Sequence, residues 1–379
     1  MPSNSKNKYV LITVPSFKLK GGVVDFFKYI DKFLSINHKF FQFFPLGKKE
    51  NFFSNLSYHI SVQRNFYKKI RTDDLSLGLV HINPSFDYRA IVRDALFLIT
   101  AKKYNKKVLV FFHGWNEKFE NIVDRYFKYI FCFFYQKADA FIVLANQFKQ
   151  KLRKWGFKQP IFLMNTPVDD ILLKNYSQDQ RIKNIGKNRP FRFLFLSRIE
   201  KEKGIIETIE TIKCLVNRGI DVELVVAGDG SYLDKAKYHS QKLALGNRIK
   251  FLGFVKDKAK IQAFTNADIF LFPSYREGMP IALLEAMAFG LPILTRPVGG
   301  IKDFFKHGEN GFLIENKSPE IFAKFAEKII KDKKLWTNIS QTNHKYAKQH
   351  FMASKVAVKL TQIYTTLLER NSYEYCKHS

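Results

Sequence analysis

The sequence predicts an α/β protein with two doubly wound parallel-sheet domains, and three observations support this. Continuous apolar runs such as Tyr9–Val14, Lys107–Phe112 and Ile269–Phe272 suit strands that are covered on both faces. Segments with helical spacing separate these runs, and an alternation of strand and helix is typical of a parallel sheet. The length of 379 residues is enough for two domains of ordinary size.

The first half opens with strand Tyr9–Val14, a loop that contains Gly21 and Gly22, and a helix over Val23–Leu34. His113 directly follows the predicted strand Lys107–Phe112. A histidine at the carboxyl end of a parallel strand points toward the crevice where open α/β sheets bind ligands. His113 is therefore a candidate site residue, although a lone histidine is more often structural and the two glycines also suit a plain turn.

A polar stretch without apolar periodicity, 175–190, separates the halves. It predicts a linker between an N-terminal domain over 1–174 and a C-terminal domain over 191–353. The strand pattern restarts at Phe191–Leu196, so the second domain is also expected to be doubly wound.

Two carboxylates mark the segment Ile269–Gly300, which reads as strand, loop, helix, strand and loop. Glu277 precedes the helix with Gly278 beside it, and Glu285 lies within it, on a helix that is apolar nearly all round. An unpaired buried charge is costly, so Glu285 needs a partner. Two ribose hydroxyls are one solution, with a diphosphate at the helix start beside Pro280. A buried Lys or Arg beside Glu285, with Glu277 as a charge near the helix start, is an equally good solution from spacing.

Two cations occupy the loop after Phe191–Leu196, namely Arg198 and Lys203. Together they can neutralise the two phosphates of a departing nucleoside diphosphate. A solvated charge run is the alternative, and it is the interpretation we adopt for Lys201. The loop with Gly228 and Gly230 lacks the third glycine of a dinucleotide fingerprint, which argues against a nicotinamide enzyme.

The segment Glu277–Pro292 resembles the Glu-(seven)-Glu motif of retaining GT-B glycosyltransferases, a group that includes bacterial mannosyl-, glucosyl- and galactosyltransferases. Arg198–Gly204 is similar to the Arg-x4-Lys-Gly pair of the same group. The stretch from His81 to Trp115 resembles transferases of surface-polysaccharide assembly. The resemblance covers nearly the whole chain and implies two domains that face across a cleft, with the last helix, within 354–372, returning to the first domain.

The resemblance also implies roles for individual residues. Glu285 would hold the ribose, Glu277 would orient the transferred sugar, and His113 would contact that sugar. Arg198 and Lys203 would stabilise the leaving diphosphate and replace a metal ion, so no metal or other cofactor is expected. Further donor-binding residues would be Gly21, Gly22, Gly228, Gly230, Phe254, Val255, Gly278, Met279 and Pro280.

The net charge of +29 implies an anionic neighbour, which we expect to be the diphosphate donor and an anionic membrane surface. Aromatic and basic residues interleave from Phe26 to Arg71, and they predict either membrane contact or a strand and helix whose aromatics are core. No nucleic-acid module is recognisable, so we expect no nucleic-acid partner. Scattered cysteines, a polar N-terminus and the lack of an apolar run of ~18 residues favour a cytoplasmic protein, peripheral on the inner membrane face.

The sequence thus predicts a metal-independent retaining glycosyltransferase that moves a hexose-type sugar from a nucleoside-diphosphate sugar to a lipid-linked, lipopolysaccharide or capsule-type glycan. A nucleotide-sugar epimerase or hydrolase of the same fold, and a non-catalytic binder of polyanions, remain as alternatives. Base, sugar, acceptor, linkage and oligomeric state are left open.

Overall fold

A computed structural model describes residues 8–44, 52–72, 76–186 and 189–369 of the chain. The described residues form two compact units. The first contains the residues up to Asn165 and those from Ala353 onward, and the second is Thr166–Met352. The last helix therefore belongs to the first unit.

Six parallel strands form the sheet of each unit, which confirms the predicted fold class. In chain order the strands are β1 Tyr9–Pro15, β2 His38–Phe43, β3 Leu77–Ile82, β4 Ser85–Phe86, β5 Lys107–Phe112, β6 Gly114–Trp115, β7 Ala140–Val143, β8 Ile161–Leu163, β9 Phe191–Leu196, β10 Val222–Ala227, β11 Ile249–Gly253, β12 Ile269–Phe272, β13 Ile293–Thr295 and β14 Gly311–Leu313. The sheet orders are β2-β1-β3-β5-β7-β8 and β11-β10-β9-β12-β13-β14, and β4 pairs with β6 separately.

Helices connect the strands and cover both sheets. They are α1 Gly22–Ile30, α2 Phe52–Thr72, α3 Tyr88–Lys103, α4 Glu117–Ile122, α5 Lys128–Tyr135, α6 Asn146–Lys154, α7 Gln178–Asn184, α8 Ile205–Asn217, α9 Leu233–Lys242, α10 Asp257–Asn266, α11 Ile281–Ala288, α12 Pro319–Lys331, α13 Lys333–His350 and α14 Ala353–Glu369. A π-helical turn, Val123–Phe127, joins α4 to α5.

The stretch expected to be a linker, 175–190, lies inside the second unit and carries α7. Its polar side chains bond to that unit. The guanidinium of Arg181 is buried and donates to the carbonyl oxygens of Ala267 and Phe264, each at 2.6 Å. Gln178 donates to Ser340 Oγ at 2.7 Å. A segment can thus be polar and still be anchored, because its polar groups meet buried backbone acceptors.

The aromatic residues between Phe26 and Arg71 contribute in part to the core. Phe26, Phe27, Phe43 and Phe66 are buried, whereas Phe44 and Tyr67 are exposed, so membrane contact of this stretch stays a prediction. The part of the stretch over 45–51 lies outside the described residues.

Helix α14 completes the core of the first unit. Its Tyr364 Oη lies 2.6 Å from Nδ1 of His81, and both side chains are fully buried. Lys107 Nζ donates to the carbonyl oxygen of Leu367 at 2.7 Å, near the C-terminal end of the same helix. Cations satisfy the last carbonyl groups of a helix, so this bond also caps α14.

Candidate active site

Four loops meet at the carboxyl edge of the second sheet, after the adjacent strands β9, β10, β12 and β13. The strand order reverses between β9 and β12, which is the place where open α/β sheets bind ligands. Backbone hydrogen bonds join the loops: Ile199 N to Asp229 O at 2.9 Å, Tyr275 N to Glu202 O at 2.9 Å, and Gly300 N to Gly278 O at 2.7 Å.

Close backbone approaches fix two of these loops. Gly228 has a φ of +144°, and a Cβ there would lie 1.8 Å from the carbonyl oxygen of Ser197. Gly299 has a φ of +54°, and its Cβ would lie 2.0 Å from the carbonyl oxygen of Glu277. Only glycine fits either position. At Gly230, in the same loop as Gly228, a Cβ would lie 2.4 Å from the carbonyl oxygen of Ile199.

Glu277 and Lys203 contact each other at this edge. Lys203 Nζ lies 2.6 Å from Glu277 Oε1, and Ser274 Oγ donates to the same oxygen at 2.7 Å. The side chains of Lys203 and Glu277 are only 13% and 10% exposed. The structure thus brings together a cation and a carboxylate that the sequence placed in different loops. If Lys203 turned from Glu277 to a phosphate oxygen of a ligand, its charge would still be paired.

Arg198 lies on the same loop as Lys203 and is exposed. The later part of this loop, Lys201–Lys203, forms a short 3-10 turn, and Gly204 ends the turn in a left-handed conformation. Lys201 is also exposed. Arg198 and Lys201 are therefore both exposed cations of the same loop, so substitution of Lys201 is a suitable control for substitution of Arg198.

Glu285 is buried on α11, as the apolar surroundings of that helix predict. Its Oε1 lies 2.5 Å from Nζ of Lys260 on α10. This is the ion pair that the sequence left open as one of two solutions. It does not exclude a ribose contact, since a carboxylate accepts several hydrogen bonds.

Helix α11 begins directly after Pro280, with Gly278 and Met279 in the preceding turn. As at any helix start, its first N–H groups have no acceptor within the helix, and they carry a positive partial charge. On the loop after β11, Phe254 is exposed and Val255 is half-buried. That loop borders Gly228, whose N–H donates to Gly253 O at 2.7 Å.

The first unit holds a cavity of about 660 Å³ at the carboxyl ends of its central strands. Gly21 and Gly22 line it, and a Cβ at either position would meet no atom within 4 Å. Most of the other walls are aliphatic or aromatic, including Phe43 and Tyr58. Lys20, Arg89 and Arg93 add cations, and Arg93 also donates to both carboxylate oxygens of Asp94. The cavity therefore combines an apolar interior with a few polar groups, which is typical of a ligand site.

His113 lies at the end of β5, among the rings of Phe26, Phe27 and Phe111. Its Nε2 is 2.8 Å from Oδ1 of Asn83, whose own amide donates to the carbonyl oxygen of Thr13. Since that Oδ1 can only accept, His113 donates from Nε2 and retains Nδ1 as an acceptor. Burial, together with the nearby His81, holds the pKa of His113 well below its ordinary value, so the ring is neutral.

Sequence reasoning missed Ser274, Lys260 and Asn83. Ser274 and Asn83 each follow a buried parallel strand at close range, so the rule that selected His113 would also have found them. Lys260 carries no local signal, because its contact with Glu285 depends on the packing of α10 near α11.

Within the described part of the chain, no group of three or more His, Cys, Asp and Glu residues could hold a metal ion. None of the described helices combines the length and apolarity needed to cross a bilayer.

Comparison with known proteins shows what the second unit resembles. The sequence profile of the family described as "Glycosyl transferases group 1" matches residues 177–346. The match covers a little less than half of the chain and shows that the second unit is similar to this family. The fold is that of GT-B glycosyltransferases: Anabaena HepE, solved with UDP and glucose, superposes with a TM-score of 0.70 at 18% identity, over 94% of this chain and 99% of that one. The lipopolysaccharide outer core galactosyltransferase WaaB gives a TM-score of 0.66 at 18% identity, over 94% and 99%.

Several curated relatives that match part of this chain carry names from surface-polysaccharide synthesis. The capsular polysaccharide biosynthesis glycosyltransferase CapM of Staphylococcus aureus is 30% identical over 48% of this chain and 48% of its own length. A galactosyltransferase of Escherichia coli, named for UDP-galactose and GlcNAc-diphosphoundecaprenol, is 31% identical over 44% and 43%. This chain spans about half the length of the first curated relatives that it matches.

Proposed function

We propose that this protein is a retaining glycosyltransferase that moves a hexose-type sugar from a nucleoside-diphosphate sugar to a glycan acceptor of surface-polysaccharide assembly. The observation that carries the proposal is the contact of Lys203 with Glu277 at the switch point of the second sheet, directly before α11. A cation for phosphate, a carboxylate for sugar hydroxyls and a helix start then share one edge. Structural similarity to HepE, solved with UDP and glucose, supports a nucleotide-sugar donor.

The second unit would act on the leaving group. As the bond from the anomeric carbon to the phosphate oxygen breaks, negative charge builds on the diphosphate, and Lys203 and Arg198 stabilise it. The acceptor hydroxyl forms its bond to the same face of the anomeric carbon, and its proton passes to the departing phosphate oxygen. The two cations supply the charge that a metal ion would otherwise provide, so transfer is metal-independent.

Glu285 would accept from the ribose, while Lys260 keeps its charge compensated. Glu277 would bind hydroxyls of the transferred sugar once Lys203 has turned to the diphosphate. His113 would accept a sugar hydroxyl at Nδ1, a role that requires the neutral ring. Of the remaining donor-side residues, Gly228, Gly230, Gly278, Met279 and Pro280 would line the path of the diphosphate, and Phe254 and Val255 would border the base.

The first unit would bind the acceptor. Its cavity has mostly apolar walls with the cations Lys20, Arg89 and Arg93 among them, and this composition suits an amphiphilic acceptor such as a lipid-linked or lipopolysaccharide-type glycan. The names of the capsular and undecaprenol-linked relatives point to the same acceptor class. Such an enzyme would work at the inner face of the cytoplasmic membrane.

The test is a thermal-shift panel of nucleoside diphosphates and their sugars on the whole chain. The matching nucleotide should stabilise the protein by about 2.7 kcal/mol when its concentration is a hundred times the Kd. Arg198→Ala should weaken that nucleotide about tenfold or more, since it removes a charged partner of the phosphates. Lys201→Ala, the exposed neighbour, should leave affinity unchanged. Equal effects of the two substitutions, or no stabilisation by any nucleotide, would contradict the proposal, and sugar release without any acceptor would favour a hydrolase.

A further inference from the structure

An unusual row of exposed aromatic and aliphatic side chains runs along α4, the π-helical turn and α5. Exposure ranges from 45% at Ile122 to 87% at Tyr129. The members are Ile122, Tyr126, Phe127, Tyr129, Ile130 and Phe133. Most follow each other at helical spacing, so they form one stripe directed away from the sheet, while Val123, Phe131 and Tyr135 on the opposite side are buried.

A second row lies on the neighbouring helix α3, where Tyr88, Val92 and Leu96 are exposed at successive turns. The two helices pack together, and Tyr135 Oη donates to the carbonyl oxygen of Ile91 at 2.9 Å. The crossovers β3–α3–β5 and β5–α4–α5–β7 step in the same direction along the sheet, which places both helices on one side of it. Both rows therefore face the same way. We call the nine residues the aromatic face.

Cations surround the aromatic face. Lys118 and Lys137 lie at its two ends and Arg125 lies within it, and all three are exposed. The charged groups of Arg125 and Lys137 lie over the rings of Tyr126 and Phe133, at 5.3 and 4.4 Å from the ring centroids. The cations therefore sit at the level of the exposed rings.

Two of the neighbouring acids, Asp124 and Glu120, are paired toward the protein, while Glu117 is exposed at the start of α4. Asp124 accepts from Trp155 Nε1 at 2.6 Å and pairs with Lys151, while Glu120 pairs with Lys151 at 2.8 Å. Partial burial of Asp124 is outweighed by these hydrogen bonds, so its pKa is lowered and it stays ionised against Lys151. The exposed cations Lys118, Arg125 and Lys137 outnumber Glu117, so the net charge around the aromatic face is positive.

We propose that the aromatic face docks on a bilayer that contains anionic lipids. Monomeric soluble proteins rarely leave so many neighbouring large apolar side chains in water. Tyrosine and phenylalanine favour the boundary between headgroups and acyl chains, and cations beside them attract anionic headgroups. A protein partner would need acids to match these cations, whereas the bilayer supplies both the apolar layer and the negative charge.

The aromatic face also borders the cavity of the first unit. Tyr88, at the start of its α3 row, and its neighbour Arg89 both line that cavity. Docking would bring the cavity mouth to the headgroup region. This last step rests on the proposed function, because it explains how a lipid-linked acceptor reaches the cavity without leaving the membrane.

Vesicle flotation tests docking directly. The full chain is mixed, without any sugar nucleotide, with vesicles of phosphatidylcholine or of phosphatidylcholine and phosphatidylglycerol in equal parts. The parent protein should float with the anionic vesicles at low salt and much less with the neutral ones. The variant Tyr129→Ser/Ile130→Ser/Phe133→Ser should bind at least about tenfold more weakly, since three apolar side chains no longer enter the boundary. Lys118→Gln/Arg125→Gln/Lys137→Gln should lose roughly tenfold on anionic vesicles and little on neutral ones.

The matched control is Ile171→Ser/Tyr238→Ser/Val358→Ser, which removes three comparably exposed apolar side chains elsewhere. It should float like the parent. Circular dichroism and the nucleoside-diphosphate thermal shift verify that each variant is folded. Equal binding of parent and face variant, or equal loss in the control, would overturn the proposal. The proposal would also be overturned if the parent protein were a dimer and the face variant a monomer, because the aromatic face would then be an interface between two copies of the chain. Failure of nucleotide binding would instead refute the proposed function and leave the flotation result valid.

Discussion

The ion pair between Lys203 and Glu277 allows stability and catalysis to be separated. Their charged atoms lie 2.6 Å apart with both side chains nearly buried. At an effective dielectric constant of about 20 the gross attraction is ~6 kcal/mol, but desolvation of two charges offsets much of it. Lys203→Met leaves Glu277 beside Ser274 without its cation, and we expect a loss of about 3 kcal/mol in the free energy of unfolding of the second unit. This corresponds to a melting temperature roughly 6–12 °C lower.

The double variant Lys203→Met/Glu277→Gln removes both charges and should recover about 2 kcal/mol of that loss. Activity should not recover, because each residue would act on a different part of the donor; transfer should remain about 100- to 1000-fold below the parent. Differential scanning calorimetry gives the stabilities, and radiolabelled sugar transfer gives the rates. Lys201→Met serves as the control for both. Recovery of activity together with stability would refute the reasoning, because the pair would then be purely structural.

Three further outcomes follow from the structure. Gly228→Ala should destabilise the second unit by more than about 3 kcal/mol, since the added Cβ would lie 1.8 Å from Ser197 O, whereas Gly219→Ala, with open space around it, should cost about 1 kcal/mol in urea unfolding. Burial lowers the pKa of His81 to about 3, and burial together with the nearby His81 lowers the pKa of His113. Below about pH 6.5 the unfolded chain therefore binds more protons than the folded chain, and the free energy of unfolding falls as the pH drops. His113→Asn should reduce that slope by up to about 1.4 kcal/mol per pH unit, and an unchanged slope would contradict the assignment. Chelation with EDTA should leave transfer unchanged, and a loss that added Mg²⁺ restores would contradict metal independence.

The central strands could be predicted closely from the sequence. The bounds expected for β5, β9 and β12 match the structure, because each is a mostly apolar run whose central residues are buried. Edge strand β14, by contrast, is three residues long and begins with a glycine, so its sequence resembled a turn. The stretch that carries α7 has the polar composition of a linker. Its anchoring bonds to Ala267 and Phe264 depend on tertiary packing, so the local sequence could not reveal them.

The sequence selected candidate site residues, but it could not give their geometry. Strand-end position and residue type selected Glu277 and Lys203, yet their contact depends on β12 lying beside β9, a crossover that local spacing does not encode. The aromatic face could not be predicted from the sequence for a different reason. The helical stretch from Phe119 to Ala138 is rich in aromatics on every side, so the sequence could not show which of them pack inward.

The placement of α14 has a consequence for biosynthesis. A ribosome releases the chain from its N-terminal end, yet the first unit lacks a core helix until residues from Ala353 onward have emerged. By then every residue of the second unit is already available for folding. During synthesis His81 therefore lacks its contact with Tyr364 until after the whole second unit has been translated.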